Sequence, residues 1–329
     1  MEKMIPAILI LCLCLMPVQI QAKSVTSGTD NNGNEWTYHI STKTLVFTGD
    51  KAISDFTLNG HDREPSWYRW SNKTEHIVIE EGITGIGSEA FSSFTETKSI
   101  TMGESVKRIN RMAFWANVSL KEIKLSSNIT VIQGDALSGG RELETIKLPM
   151  RLRKMCSLSG QEKLEKIVMP DSITNMQSAM FSECKKLKYI KLPAKIREIK
   201  SYDFAGCKNL KKLTIPQSVK TVSMSAFAGS GLKKIVLPEN VTTIKNGDAG
   251  RKVFKYIKGI NYPTKNLRVI KIHSKKIKSI QKSSFSGLSS KVVIKVPKSK
   301  KKKYTKMLRK SGLSKKVKIC SNDEGKTPW

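Results

Sequence analysis

Histidine, cysteine and acidic residues are the side chains most able to perform acid–base, nucleophilic or metal chemistry, and in this chain they are widely scattered. The four histidines are His39, His61, His76 and His273. None lies beside a cysteine or serine in a spacing typical of a nucleophile and its base. No His-Glu-x-x-His segment or pair of Cys-x-x-Cys segments is present. The sequence therefore predicts a protein that is not an enzyme, with no cofactor and no metal site.

Two short polar clusters could suggest a site. The segment His61-Asp62-Arg63-Glu64 combines acid, base and cation, but a surface loop accounts for it. The segment Asp30-Asn31-Asn32-Gly33 resembles the start of a calcium loop, yet the later acidic ligand is missing at the required spacing. We interpret it as a turn.

Positive charge is the strongest chemical signal in the composition. The chain has 59 lysine and arginine residues against 27 aspartate and glutamate residues, which gives a net charge of +32. An excess of this size favours anionic partners or an anionic setting. Lysine predominates over arginine, which favours diffuse charge attraction over bidentate recognition.

The elements that position these lysines are set by a repeat of about 23 residues, each unit containing an apolar-x-apolar triplet. The triplets begin at Ile77, Ile100, Ile123, Ile146, Ile167, Ile190, Leu213, Ile235, Ile270 and Ile294. A fixed period in this range indicates a solenoid, in which each unit stacks on its neighbours to build one continuous core. We predict a β-rich solenoid of about ten units.

One unit shows how the repeat folds. In the segment 187–193, Ile190 and Leu192 alternate with Lys191 as in a half-buried strand, and Pro193 ends that strand. The apolar residues that follow, such as Ile196 and Ile199, predict a second buried layer. A unit of this length is too short for a strand and a full helix, so we expect a short second strand or a single 3₁₀ turn.

The motif Leu-Lys-x-Ile-x-Leu-Pro-x-x-Ile-x-x-Ile-x-x-x-x-Phe-x-x-Cys at 187–207 resembles the BspA-like leucine-rich repeat. The resemblance covers roughly residues 73–297. It implies a secreted or surface-attached protein, mostly of bacterial type, with a role in adhesion, but it transfers no binding residue. The fourth unit is shortened around 155–158, and the eighth carries an insertion between Ile244 and Leu267, so we expect local irregularity at both.

The two ends of the chain differ from the repeat. Residues 1–22, with Lys3 before an apolar run, predict a signal peptide that is cleaved before Lys23. Residues 23–72 predict an N-terminal β cap containing a hairpin. Its aromatic residues Trp67, Tyr68 and Trp70 could either cover the first coil or form a sugar-stacking platform.

Residues 298–329 predict a lysine-rich C-terminal cap and tail. Tyr304, Met307 and Leu308 would share one face of a short helix that Gly312 ends. The basic patch Lys300, Lys301, Lys302 and Lys303 could bind an anion or remain solvated.

Four cysteines remain after signal cleavage, at 156, 184, 207 and 320. Cys184 and Cys207 lie one period apart at matching positions. A ladder of small buried thiols accounts for this spacing, and a disulfide between neighbouring coils is the alternative.

The sharpest functional hypothesis concerns the outward positions of the front strands. Stacking would collect their lysines on one face, and the candidate ligand-binding residues are Lys124, Lys147, Lys191, Lys212, Lys234, Lys271 and Lys295. Like charges on neighbouring strands repel, so such a face suggests an anionic ligand. The alternative is that lysine keeps the protein soluble and blocks edge pairing.

The sequence thus predicts an exported, non-catalytic binding or adhesion protein with an acidic extracellular partner, such as an acidic glycan, a wall polymer or a host protein. Nucleic acid is not expected, because the lysine face lacks the series of interleaved aromatic residues that is typical of a base-stacking groove. The alternative is a structural or self-associating surface protein without a dedicated anionic ligand.

Overall fold

A computed structural model describes residues 25–56, 65–246, 266–285 and 288–322. The predicted signal peptide, the segment 61–64, the centre of the insertion and the end of the C-terminal tail lie outside these described residues.

The described chain is strand-rich, with two layers of short strands. The front layer contains β1 (Val25–Thr29), β2 (Glu35–His39), β3 (Thr44–Thr48), β4 (His76–Ile79), β6 (Ser99–Met102), β8 (Glu122–Lys124), β10 (Thr145–Ile146), β11 (Lys166–Val168), β12 (Tyr189–Lys191), β15 (Lys234–Leu237), β17 (Val269–Ile272), β19 (Val293–Val296) and β20 (Lys318–Ser321). The back layer contains β5 (Gly85–Ile86), β7 (Arg108–Ile109), β9 (Val131–Ile132), β13 (Glu198–Ile199), β14 (Thr221–Ser223), β16 (Thr243–Lys245) and β18 (Ser279–Ile280). We number the coils by their apolar-x-apolar triplets, from coil 1 at Ile77 in β4 to coil 10 at Ile294 in β19; coil 7, with the Leu213 triplet, has no front strand.

Neighbouring coils pair in parallel and in a strict register. In the front layer Ile77 lies opposite Ile100, and Ile100 lies opposite Ile123. Because side chains alternate along a strand, this register sends the same position of every coil into the core. The prediction of a solenoid built from the repeat is confirmed.

Each layer is interrupted once among the described residues. The front layer is a nine-stranded sheet ending at β12 and a four-stranded sheet beginning at β15. Residues 211–216 between them do not form a strand, so the strand expected at the Leu213 triplet is absent. The back layer is interrupted between β9 and β13, with a single bridge from Val131 to Lys154. This confirms the irregularity expected in the fourth unit.

The core is one continuous cluster that extends from Trp36 to Val317. Stacked phenylalanines run along it, including Phe91 on Phe114 and Phe204 on Phe227, with ring centroids 5.5 and 6.2 Å apart. Leu158 of the shortened unit takes the place of a phenylalanine in this column. Its N–H donates to the Met180 carbonyl of the next coil at 2.8 Å, just as the N–H of Phe91 donates to the Ala113 carbonyl of the next coil. The shortening therefore changes the turn and leaves the core intact.

Turns on the back side use left-handed backbone at positions that recur with the repeat. Two such columns contain Glu89, Met112, Asp135, Ala179 and Tyr202, and Ser93, Ala116, Gly139, Glu183 and Gly206. A non-glycine residue pays about 1–2 kcal/mol for this conformation. The stacking of neighbouring coils fixes it.

Both ends are capped as expected from the sequence. β2 and β3 form an antiparallel hairpin, and β3 pairs with β4 of the first coil. Trp67 is buried and packs against Phe47 and Phe91, while Trp70 stacks on Tyr38 at 4.2 Å. These contacts favour the structural role of the aromatic residues over a sugar platform.

The C-terminal cap contains the helix α1 (Lys301–Lys310), which follows a 3₁₀ turn at Lys298–Lys300. Tyr304 and Leu308 are buried, Met307 packs at their side, and Gly312 has φ +91° just after the helix. Other 3₁₀ turns lie at Tyr68–Trp70 and Met224–Phe227. None of the helices in the described ranges has the length and apolar character needed to cross a bilayer.

Asp203 is a fully buried carboxylate at a position that alanine occupies in other coils, such as Ala113, Ala136 and Ala226. It accepts a hydrogen bond from the Lys200 backbone N–H at 2.7 Å. Burial nevertheless raises the pKa of the Asp203 carboxyl well above its ordinary value. Its charged form is therefore unfavourable in the folded chain.

Replacing this carboxylate should stabilise the protein more at neutral than at acidic pH. Because the folded pKa is raised, the contribution of Asp203 to stability is present below its unfolded pKa and is lost as the pH rises through the folded pKa. We expect Asp203→Ala to increase the free energy of unfolding, relative to the unchanged chain, more at pH 7.5 than at pH 4. Urea unfolding at both pH values measures this difference.

The matched control is Asp50→Ala, which removes an exposed carboxylate. An effect of Asp203→Ala that is equal at both pH values would contradict the interpretation.

Candidate functional site

The exposed face of the front layer presents two outward positions in each coil, one before and one after the central buried residue. In β11, for example, Lys166 and Val168 flank Ile167. Each of the eight coils from coil 3 to coil 10 has one lysine at these two positions, and they are Lys124, Lys147, Lys166, Lys191, Lys212, Lys234, Lys271 and Lys295. We call the first seven the lysine array.

Seven of these eight residues were predicted from the sequence. The five predicted members from Lys124 to Lys234 are exposed, and Lys271 is half-buried. Lys295 is only 7% exposed, so the prediction that it lies on an open face is wrong for this residue. Lys166 was missed, because it precedes its buried isoleucine while most of the predicted lysines follow theirs.

The register of the strands places the array along the solenoid axis. Thr101 lies opposite Lys124, Lys166 opposite Tyr189, and Lys271 opposite Lys295. Neighbouring parallel strands are about 4.8 Å apart, so the seven lysines extend over about 29 Å. The array is a line of positive charge with one ammonium group per coil.

Carboxylates neutralise other lysines of this face. Glu75 bonds to Lys43 and Lys98 at 2.7 and 2.5 Å, and these contacts lower the pKa of Glu75 to about 2. Lys188 pairs with Glu165 at 2.8 Å. In the described part of the chain, no ion pair involves a lysine of the array. An acidic residue does share an outward position in coil 3, where Glu122 precedes Ile123.

Positive charge increases toward the C-terminal end. The sequence has no aspartate or glutamate from residue 249 to residue 322. In the predicted cap patch, Lys300 and Lys301 are half-buried, whereas Lys302 and Lys303 are exposed. An anion approaching this end meets cations on both the front face and the cap.

An open groove of about 620 Å³ lies where the front layer meets the C-terminal cap. Its lining includes Glu239, Lys271, His273, Lys275, Lys298 and Asn322. The Asn322 side chain donates to the Ile272 carbonyl at 3.0 Å. Burial, followed by the charges of Lys271 and Lys234, lowers the pKa of His273, which favours a neutral imidazole.

The described cysteines lie in the packed interior and have structural roles. All four of the described cysteines are free and buried. The thiols of Cys184 and Cys207 donate to the carbonyls of Leu158 and Phe181, at 3.2 and 3.0 Å. Burial raises the pKa of both thiols, which disfavours the nucleophilic thiolate. The ladder interpretation is therefore confirmed over the disulfide.

The remaining candidates for chemistry have local roles where the structure describes them. Asp30 accepts bonds from the backbone N–H groups of Asn32 and Asn34 at 2.9 and 2.8 Å, which confirms a turn. His76 contacts the Ser99 hydroxyl at 2.8 Å. Within the described residues no group of three His, Cys, Asp or Glu side chains could hold a metal ion.

A profile of the BspA type leucine-rich repeat region, with six copies, matches residues 64–159, 155–261 and 255–324. The chain belongs to this family. The leucine-rich-repeat fold seen in the strand register therefore agrees with the family assigned from sequence. No curated protein gives a significant match to the chain.

Solved bacterial structures share the fold. A leucine-rich repeat protein from Bacteroides ovatus ATCC 8483 aligns with a TM-score of 0.61 and 21% identity, over 94% of this chain and 80% of its own. Another, from Eubacterium ventriosum ATCC 27560, aligns with a TM-score of 0.55 and 20% identity, over 83% of this chain and 78% of its own. Identities this low support a shared fold alone.

The electrostatics of the groove can be tested through His273. We expect its imidazole to titrate below the ordinary value of 6.5, and Lys271→Gln to raise its pKa by removing a nearby charge. Nuclear magnetic resonance of the histidine ring protons across pH measures both. Lys275→Gln is the control, since it removes the same charge from the groove but is not among the groups that lower this pKa. A midpoint at or above 6.5 in the unchanged chain would contradict the assigned environment.

Proposed function

We propose that this protein is an exported, non-catalytic binding protein that uses the lysine array to hold a linear anionic polymer outside the cell. The single observation that carries the proposal is the occurrence of one lysine at an outward position of the front face in every coil from coil 3 to coil 9. Membership of a family whose proteins are typically secreted or surface-attached supports the setting. The predicted signal peptide supports it as well.

The array fits a polymer better than a small ligand. Its side chains alternate between two outward positions over about 29 Å of the front face. Six of the seven are exposed to solvent, and the seventh, Lys271, lines the open groove at the C-terminal end. Single exposed charge pairs contribute only about 0.2–1 kcal/mol each. Useful affinity therefore requires many simultaneous contacts, which a repeating polyanion supplies.

The flexible lysine side chain fits the same interpretation. An ammonium group at the end of four methylenes adapts to many spacings of anionic groups. The resulting binding should be multivalent and sensitive to salt, because exposed charges are screened over about 8 Å at physiological ionic strength.

The test is removal of the array charge without change of the backbone. We expect a variant with glutamine at Lys124, Lys147, Lys166, Lys191, Lys212 and Lys234 to bind polygalacturonate, dextran sulfate and polyphosphate about 100-fold more weakly. This follows from about 0.5 kcal/mol for each of six contacts. Titration calorimetry at several salt concentrations measures the affinity and its salt dependence.

A matched control keeps the net charge of the variant but spares the array. It carries glutamine at six exposed lysines outside the front face, Lys107, Lys154, Lys195, Lys220, Lys278 and Lys282. Equal losses in the two variants would show that net charge alone drives binding. Retained affinity in the array variant would show that binding does not depend on the lysine array. A double variant, Lys302→Gln with Lys303→Gln, would then test whether the cap patch binds the polymer instead.

Self-association is the second candidate function. β1 is the outer strand of the nine-stranded sheet, and Val25 at its start is 46% exposed. An open strand edge can pair with another chain. A mass that increases with concentration, together with no binding to any of the polymers, would favour this alternative.

A further inference from the structure

The centre of the lysine array contains two large apolar side chains that face solvent. β11 exposes Lys166 and Val168, and β12 exposes Tyr189 and Lys191. Their register places Lys166 opposite Tyr189 and Val168 opposite Lys191. The four residues, which we call the tyrosine patch, therefore alternate cation and apolar group in a two-by-two pattern.

The exposure of this patch is not needed by the core. Tyr189 is 50% exposed and Val168 is 45% exposed, while the buried faces of their strands are filled by Ile167 and Ile190. Tyr189 is the one exposed aromatic side chain in the described front strands. Threonine occupies the outward positions Thr145 and Thr214 in the nearby coils 4 and 7. A threonine in place of Val168 or Tyr189 would also suit a strand and would expose less apolar surface to water.

The tyrosine ring is held by a neighbour. The Lys166 ammonium nitrogen lies 5.5 Å from the centroid of the Tyr189 ring, within the range of a cation–π contact. This contact restrains both side chains before a ligand arrives. A restrained aromatic ring costs less conformational entropy on binding than a free one.

We propose that the tyrosine patch recognises the sugar ring of an acidic polysaccharide. The apolar C–H face of the sugar packs on Tyr189 and Val168, and its carboxylate or sulfate groups contact Lys166 and Lys191. This inference rests on the proposed function of the lysine array and adds the chemical class of the polymer. Polyphosphate offers charge without an apolar face, so it would gain nothing from the tyrosine.

The position of the patch favours a polysaccharide over an acidic peptide. β11 lies inside the nine-stranded sheet and is paired on both sides, and β12 is the last strand of that sheet. The next coil nevertheless stacks directly on β12, because β13 pairs with β14 in the back layer and Ile215 is buried in the common core, so the edge of β12 is not open to a peptide. Peptides that dock as extended strands do so at a free sheet edge, where their main-chain groups find partners. A peptide lying across the face would leave those groups to water, whereas a polysaccharide has no amide main chain to satisfy.

The experiment replaces Tyr189 in the full chain and compares polymers of different chemistry. We expect Tyr189→Thr to weaken binding of polygalacturonate about 10-fold, which is the size of one aromatic packing contact. Binding of polyphosphate should change less than about twofold, since charge contacts remain. Tyr189→Phe keeps the ring and should retain binding of both polymers.

Threonine occurs at the same outward position in coil 4, so Tyr189→Thr suits the strand, and a circular dichroism melt verifies that the fold is kept. An equal loss for both polymers, or no loss for either, would overturn the role of the tyrosine patch. Equal or greater dependence on Tyr189 for polyglutamate would point instead to an acidic protein partner.

The two proposals fail in different ways. If the array variant with six glutamines loses all three polymers while Tyr189→Thr changes none, the charge proposal stands and the polysaccharide inference is wrong. If the array variant binds as well as the unchanged chain, the proposed function is wrong whatever Tyr189 does.

Discussion

The structure depends on one constraint: no coil of about 23 residues can bury its own apolar face. Each coil has an apolar side facing the next coil above and below, so burial requires stacking in a common register. The pairing of Ile77 with Ile100 and of Ile100 with Ile123 shows that register directly. The phenylalanine column, the thiol ladder and the recurring left-handed turns are consequences, since equal positions must meet equal surroundings in every coil.

The same register also determines which side chains lie next to one another on the solvent-exposed face. A lysine at a given outward position is brought next to its counterpart in the next coil, at about 4.8 Å between strands, where like charges repel. Four of the seven steps from coil 3 to coil 10 avoid this by moving the lysine to the other outward position, as from Lys147 to Lys166 and from Lys166 to Lys191. The diagonal separates the charges further and lowers their repulsion, while the density of one cation per coil is kept. The same alternation leaves room for Val168 and Tyr189 between the lysines.

The sequence predicted the features that recur with a regular period along the chain. It missed the features that depend on the local environment of one residue. The solenoid, the N-terminal hairpin and the face of α1 with Tyr304 and Leu308 all follow from patterns of period 23, 2 or 3.6. The burial of Lys295 could not be predicted. The sequence pattern shows that a strand position points outward, but it does not show whether other parts of the chain pack over that position. Residues 211–216 do not form a strand, although their apolar pattern matches the repeat. An apolar pattern therefore predicts which side chains are buried more reliably than it predicts which backbone segments pair as strands.

Interruptions in the two layers also show what the repeat tolerates. The front layer is broken at coil 7, and the back layer is broken earlier, between β9 and β13. Because the breaks lie in different coils, one layer continues where the other stops, and the core remains a single cluster from Trp36 to Val317. A break in both layers at one coil would leave only side-chain packing to hold the halves in register. The lysine array crosses the front break at Lys212, so its continuity is maintained there by the back layer, where β13, β14 and β16 pair without interruption.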